Sequence, residues 1–138
     1  MSKVGKDADW AKFIVLTGLS GSGKSQAIRA LEDLGYYCVD NLPVALLPVM
    51  SELPERQAEQ PRVAVVMDIR EPRFLSDFPR VYRKLKTNRH LNPRLIFLEA
   101  GHAELVRRFS ETRRPHPLAP NRPVTEGLSE ERDSLRQI

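Results

Sequence analysis

Eight residues near the N-terminus, Gly18-Leu19-Ser20-Gly21-Ser22-Gly23-Lys24-Ser25, read G-x-x-x-x-G-K-S and narrow the choice of folds more than any other feature of the chain. They follow an apolar, β-branched run, Phe13-Ile14-Val15-Leu16-Thr17, and open a segment of helical spacing that begins at Lys24. Glycines at 18, 21 and 23 allow the backbone to turn through positive φ and to approach a phosphate closely. Successive N–H groups then point inward as an anion-binding nest, and the following helix adds its positive end. In this pattern the lysine reaches the β- and γ-phosphates and the serine hydroxyl binds Mg²⁺, which assigns those roles to Lys24 and Ser25. A glycine- and serine-rich turn that meets the pattern by coincidence is the alternative.

The 138 residues are expected to form one domain, large enough to bury a core without disulfides or a structural metal. With 41% hydrophobic and 29% charged residues the composition is that of a globular protein, and no apolar stretch approaches the length of a membrane span. Met1 to Lys12 is a charged leader without the apolar core of a secretion signal, so the cytoplasm is the expected compartment. The lone Cys38 is expected to be a small buried hydrophobe. A net charge of +4 favours polyanionic partners without requiring them.

Apolar residues at 27, 28, 31 and 34 share one helix face, and Gly35 stands at the cap, which predicts a helix over 24–34. Tyr36 to Val39 reads as a second strand, closed by the polar turn Asp40-Asn41-Leu42-Pro43. Val44 to Leu53 is partly helical, with Pro48 marking an interruption or a helix start, and Glu52 to Pro61 reads as a solvated connection. Arg62 to Asp68 is a continuous apolar strand ending in an acid, of the kind a parallel sheet buries on both faces. A basic helix over Pro79 to Arg89, a strand over Arg94 to Glu99 and a helix over Ala103 to Thr112 follow. Prolines 115, 117, 120 and 123 predict an extended or mobile segment, and Glu126 to Ile138 a short amphipathic helix. Strands alternating with helices give an α/β domain over 13–138 with a parallel sheet flanked by helices. Ligands of such sheets sit at the carboxyl ends of the strands, where the loop, Asp40, Asp68 and Glu99 all fall.

Asp68, ending its strand, is the first candidate to hold a magnesium-bound water, against the alternative of an acid capping the next turn. Asp40 either assists the metal or orients an attacking water or hydroxyl. Arg108, Arg113 and Arg114 are candidates to meet charge developing on the γ-phosphate, or else belong to a solvated basic helix. His90, His102 and His116 fit no zinc spacing and are expected at the surface. Arg80, Arg83 and Lys84 share a helix face that either contacts nucleic-acid phosphates or is simply solvated.

The phosphate loop, Ala30-Leu-Glu-Asp-Leu-Gly-Tyr-Tyr-Cys-Val-Asp-Asn-Leu-Pro43 and Arg107-Arg-Phe-Ser-Glu-Thr-Arg-Arg-Pro-His-Pro-Leu118 together resemble the RapZ/YvcJ family of P-loop nucleotide-binding proteins. The resemblance implies a kinase-like P-loop NTPase fold that binds both ATP and GTP with Mg²⁺ and hydrolyses each weakly. It implies an ATP site at Gly18, Leu19, Ser20, Gly21, Ser22, Gly23, Lys24 and Ser25, and a GTP contact at Asp68, Ile69, Arg70 and Glu71, where Glu71 replaces a frequent asparagine. Some members of that family present a small regulatory RNA to a ribonuclease, chiefly through a C-terminal domain. By that comparison the chain is expected to stop before this domain and before the last strand of the sheet, leaving an edge that favours homo-oligomers. A small-molecule or nucleotide kinase, with the arginine-rich segment as its lid, is the other expectation.

Overall fold

The computed structural model describes residues 11–56, 62–112, 116–136 and 138. Four parallel strands form one sheet in the order β2-β3-β1-β4: β1 (Phe13–Gly18), β2 (Tyr37–Val39), β3 (Val63–Val66) and β4 (Pro93–Leu98). Among the described residues six α-helices flank them, α1 (Lys24–Asp33), α2 (Leu47–Ser51), α3 (Leu53–Arg56), α4 (Phe74–Leu85), α5 (His102–Thr112) and α6 (Val124–Leu135). The chain is thus an α/β domain of P-loop type, with the expected leader lying, apart from its last two residues, outside the described residues.

β1 and β3 read as unbroken apolar runs because both of their faces are covered. Alternate residues divide between two cores. Phe13, Val15, Val63 and Val65 join Phe74 and Phe78 of α4, Leu105 of α5 and Leu128 and Leu135 of α6 on one face. Ile14 and Ala64 face the other way, under Ile28 and Leu31 of α1. Cys38 belongs to this smaller cluster and is only half-buried; burial pushes its thiol up to about 11, so it is an inert filler.

Local chemistry sets the element ends. Gly35, at φ 95°, closes α1, with its N–H donating to Glu32 and that of Tyr36 to Leu31. Asn41, at φ 56°, turns the chain after β2, and the Leu42 N–H rejoins the ladder at Val66. Three expectations are corrected. α4 starts at Phe74 rather than at Pro79, because Phe74, Phe78 and Tyr82 recur every four residues as a ring stripe with centroids 5.0 and 5.4 Å apart. Burial of that stripe outweighs the hydrogen bond Pro79 cannot donate. The stretch after Glu52 is not all solvated connection, since α3 occupies Leu53–Arg56. Downstream of Pro115 the chain is not extended: the Ala119 N–H donates to His116, the Arg122 N–H to Ala119, and both His116 and Ala119 are buried.

β4 lies at the edge of the sheet, where Ile96 and Phe97 remain 37% and 39% exposed. Its contact with β1 depends on Gly18, whose φ is 144° and where a Cβ would stand 2.3 Å from the Leu98 carbonyl oxygen. Gly18→Ala is therefore expected to cost roughly 3 kcal/mol of stability, from strain plus displacement of β4. Gly35→Ala, with the same kind of φ but nothing within 4 Å, should cost only about 1–2 kcal/mol. Urea unfolding of the two variants checks the difference; equal losses would show that the β1–β4 approach is not tight.

Candidate functional site

β1, buried on both faces, ends at Gly18, and α1 starts at Lys24, so the loop between them is held at both ends at the carboxyl edge of the sheet. Gly21 and Gly23 adopt φ of 82° and 105°, which Cβ-bearing residues seldom do. Gly21 also lies against α5, with the Phe109 ring 3.4 Å from where its Cβ would be. Among the described residues, the main-chain N–H groups of Gly21, Gly23, Lys24 and Ser25 donate to no partner. The loop carbonyls, by contrast, are engaged. Lys24 Nζ donates to the Gly18 and Leu19 oxygens at 2.9 Å each, and Arg108 Nη1 of α5 donates to the Gly21 oxygen.

The loop opens on a cavity of about 560 Å³ whose wall includes Lys24, Ser25, Asp40, Asp68, Arg70 and Arg108. Asp68 follows β3 and is 2% exposed. Arg70 Nε donates to both of its oxygens at 2.8 and 3.1 Å, the Arg70 N–H donates to Oδ1, and Lys24 Nζ stands 3.8 Å from Oδ2. Burial pushes the Asp68 carboxyl up, but the Arg70 hydrogen bonds and the Lys24 charge outweigh it and hold the group below the usual carboxylate value. Burial pulls the Lys24 ammonium down, only partly offset by Asp68. Arg70 also reaches Asp40 at 3.1 Å, tying the ends of β2 and β3 together across the cavity.

Most of the expected site residues converge here. Within the loop Ser20, Gly21, Gly23, Lys24 and Ser25 line the cavity, whereas Gly18, Leu19 and Ser22 do not, and the Leu19 side chain is buried in the core while its carbonyl faces Lys24. Ile69 is buried, and Glu71 accepts the Arg73 N–H at the start of α4, so of the expected guanine stretch Asp68 and Arg70 line the cavity. Arg113 and Arg114 lie outside the described residues. Glu99 pairs with Arg132 of α6. His90 and His102 are exposed, but His116 is not a surface residue: it is fully buried, and its Nε2 lies 2.9 Å from Glu131 of α6. Glu131 in turn accepts from the main chain and hydroxyl of Ser20, a contact that sequence reading did not find. Its one sequence signal is Gly127, an unexplained glycine inside a helix, which marks a close approach.

The depressed Asp68 carboxyl has a consequence for acid stability. Its contribution is complete above the ordinary value of 3.8 and is lost as pH falls through the lower folded value. The melting-temperature gap between the parent and Asp68→Asn should be constant from pH 7 to 5 and close below about pH 4. Thermal scans across that range check it; a gap independent of pH would mean that Asp68 carries no folded-state charge pairing.

Among the described residues no helix is long and apolar enough to cross a membrane. The family model for the RapZ-like N-terminal domain matches residues 11–138. Similar proteins include one named "Nucleotide-binding protein" from Myxococcus xanthus, 50% identical over 127 residues, covering 92% of this chain and 44% of that protein. Proteins of the same name from Solibacter usitatus and Clostridium perfringens are 49% and 46% identical, covering 96% and 92% of this chain and 42% and 43% of theirs. The chain spans less than half the length of these curated relatives. With the match running through every described element, the chain belongs to the family of RapZ-like N-terminal domains.

Proposed function

We propose that this chain binds nucleoside triphosphates, ATP and GTP, as their Mg²⁺ complexes at the loop between β1 and α1, and hydrolyses them slowly as the regulatory domain of a longer cytoplasmic protein. One observation carries the reading: unpaired N–H groups of the loop and the Lys24 ammonium share a single cavity with two carboxylates. Four N–H groups without acceptors, next to a cation that burial has left poorly solvated, call for a multivalent oxyanion.

In this reading Lys24 would leave the Gly18 and Leu19 carbonyls for the β- and γ-phosphates, and Arg108, already bonded to the Gly21 oxygen, would turn to the γ-phosphate. The donor set fits Mg²⁺, a hydroxyl from Ser25 and a carboxylate from Asp68 on one cavity wall, and the ion would neutralise phosphate charge there. Asp68 is already engaged by Arg70, which also reaches Asp40, so Asp68 would hold the ion through a bound water while sharing its carboxylate with that guanidinium. Asp40, half exposed on the rim, is suited to orient a water. The names of the relatives support nucleotide binding, and their greater length is compatible with a place in a longer protein; the role of that protein as an adapter, with RNA and a ribonuclease bound elsewhere, is what the family resemblance implies. The exposed Arg80, Arg83 and Lys84 on α4 and the open β4 edge are the surfaces on which RNA contact and homo-oligomers would draw.

A second reading, a small-molecule or nucleotide kinase, is favoured by Arg108 reaching the loop from α5. Product analysis separates the two, since a phosphorylated acceptor supports the kinase, whereas ADP and phosphate alone support slow hydrolysis. Lys24→Ala should weaken Mg-ATP and Mg-GTP binding by about 100-fold or more, as expected for losing a charged donor in a desolvated site. Calorimetric titration with and without Mg²⁺ checks this, and a variant that binds as tightly as the parent removes the nucleotide reading.

A further inference from the structure

Glu131 is a fully buried carboxylate on α6, 111 residues from the loop it touches. Its Oε1 accepts the Ser20 N–H at 3.0 Å and its Oε2 the Ser20 hydroxyl at 2.9 Å. The third donor is His116. The Leu118 N–H donates to His116 Nδ1 at 3.0 Å, which makes Nδ1 an acceptor and places the ring proton on Nε2, 2.9 Å from Glu131 Oε1. A carboxylate in the interior survives only with such partners.

The rest of the structure makes room for this arrangement. Phe109 of α5 packs on the imidazole with ring centroids 5.4 Å apart. On the other side lies Gly127, one helical turn before Glu131, where a Cβ would fall 2.5 Å from His116 Cγ. α6 thus carries a glycine in its interior, at a cost in helix propensity, so that the imidazole can sit against its backbone.

We propose that Glu131, braced by His116, is the positioning residue of the phosphate loop: α6 clamps the loop at Ser20 so that its unpaired N–H groups stay presented to the ligand. The inference rests on the nucleotide-binding reading. A loop with three positive-φ glycines has wide backbone freedom, and every degree of it must be given up when a polyphosphate binds. Anchoring Ser20 from a packed helix removes part of that loss in advance.

The sign of one substitution separates positioning from simple electrostatics. Glu131→Gln deletes a negative charge near the site. If charge alone mattered, Mg-ATP and Mg-GTP would bind more tightly; if Glu131 positions the loop, both should bind roughly tenfold more weakly, the loss of about one hydrogen bond's worth of preorganisation. Ser20→Ala, which leaves α6 untouched, should weaken binding too, and the double variant should lose less than the product of the two single losses because both remove the same contact. Amide hydrogen exchange without nucleotide gives an independent readout: residues 20–25 should exchange about tenfold faster in Glu131→Gln while β1 and β3 keep their protection. Unchanged or tighter binding with unchanged loop exchange overturns the proposal. If Glu131→Gln does not fold, Ser20→Ala in the same two assays decides, with unchanged affinity and loop exchange counting against the clamp. If the parent binds no nucleotide, the functional reading fails while the exchange experiment still decides whether the clamp exists.

Discussion

Pairing of β1 along both of its edges is the constraint from which the rest of the site follows. Its residues match Val63 to Val66 on one side and Pro93 to Leu98 on the other, so the peptide leaving the sheet at Gly18 has almost no freedom of direction. The Leu19 N–H still donates to the Leu98 oxygen at 3.2 Å, one residue beyond the strand. A flexible glycine-rich loop therefore begins from a rigid point, which is how a site on a loop can be placed with the precision of a strand.

Within that frame the charges are arranged as exchangeable contacts. Lys24 holds loop carbonyls, Arg70 holds Asp68 and Asp40, and Arg108 holds Gly21 and Glu104. Each cation is satisfied by oxygens, and each could trade them for phosphate oxygens of higher charge. Because the N–H groups have no protein acceptor and the cations do, an entering anion has only water to displace from the former but protein oxygens to displace from the latter. The balance favours ligands with several phosphates, which fill many donors at once, over a single inorganic phosphate.

How far the molecule could be read from its residues depended on the range of the interaction responsible. The loop was legible because glycine, lysine and serine at fixed offsets act within one turn of chain, and β3 because Val63 to Val66 needs only the apolar run it contains. The start of α4 was obscured by Pro79, a strong local signal overruled by Phe74, Phe78 and Tyr82, whose stacking depends on a core formed by distant segments. His116 looks like a surface residue in sequence for the same reason. Histidine among prolines looks solvated until Phe109, Gly127 and Glu131 are brought around it, and those contacts span from seven to 15 residues, with Ser20 far more distant.

One face of α6 links the core to the loop. Leu128, Glu131 and Leu135 recur at helical spacing, so the two leucines enter the apolar cluster under the sheet while the glutamate between them reaches Ser20. Neither function can shift alone, because rotation of the helix that withdrew Glu131 would also lift both leucines from the core. Linkage is reciprocal: a ligand that binds the ordered loop better than a disordered one must stabilise α6 by the same free energy with which α6 improves binding. The buried carboxylate thus makes a helix distant from the phosphates in sequence part of the site's energetics, and through the same helix it couples occupancy of the loop to the stability of the face opposite α1.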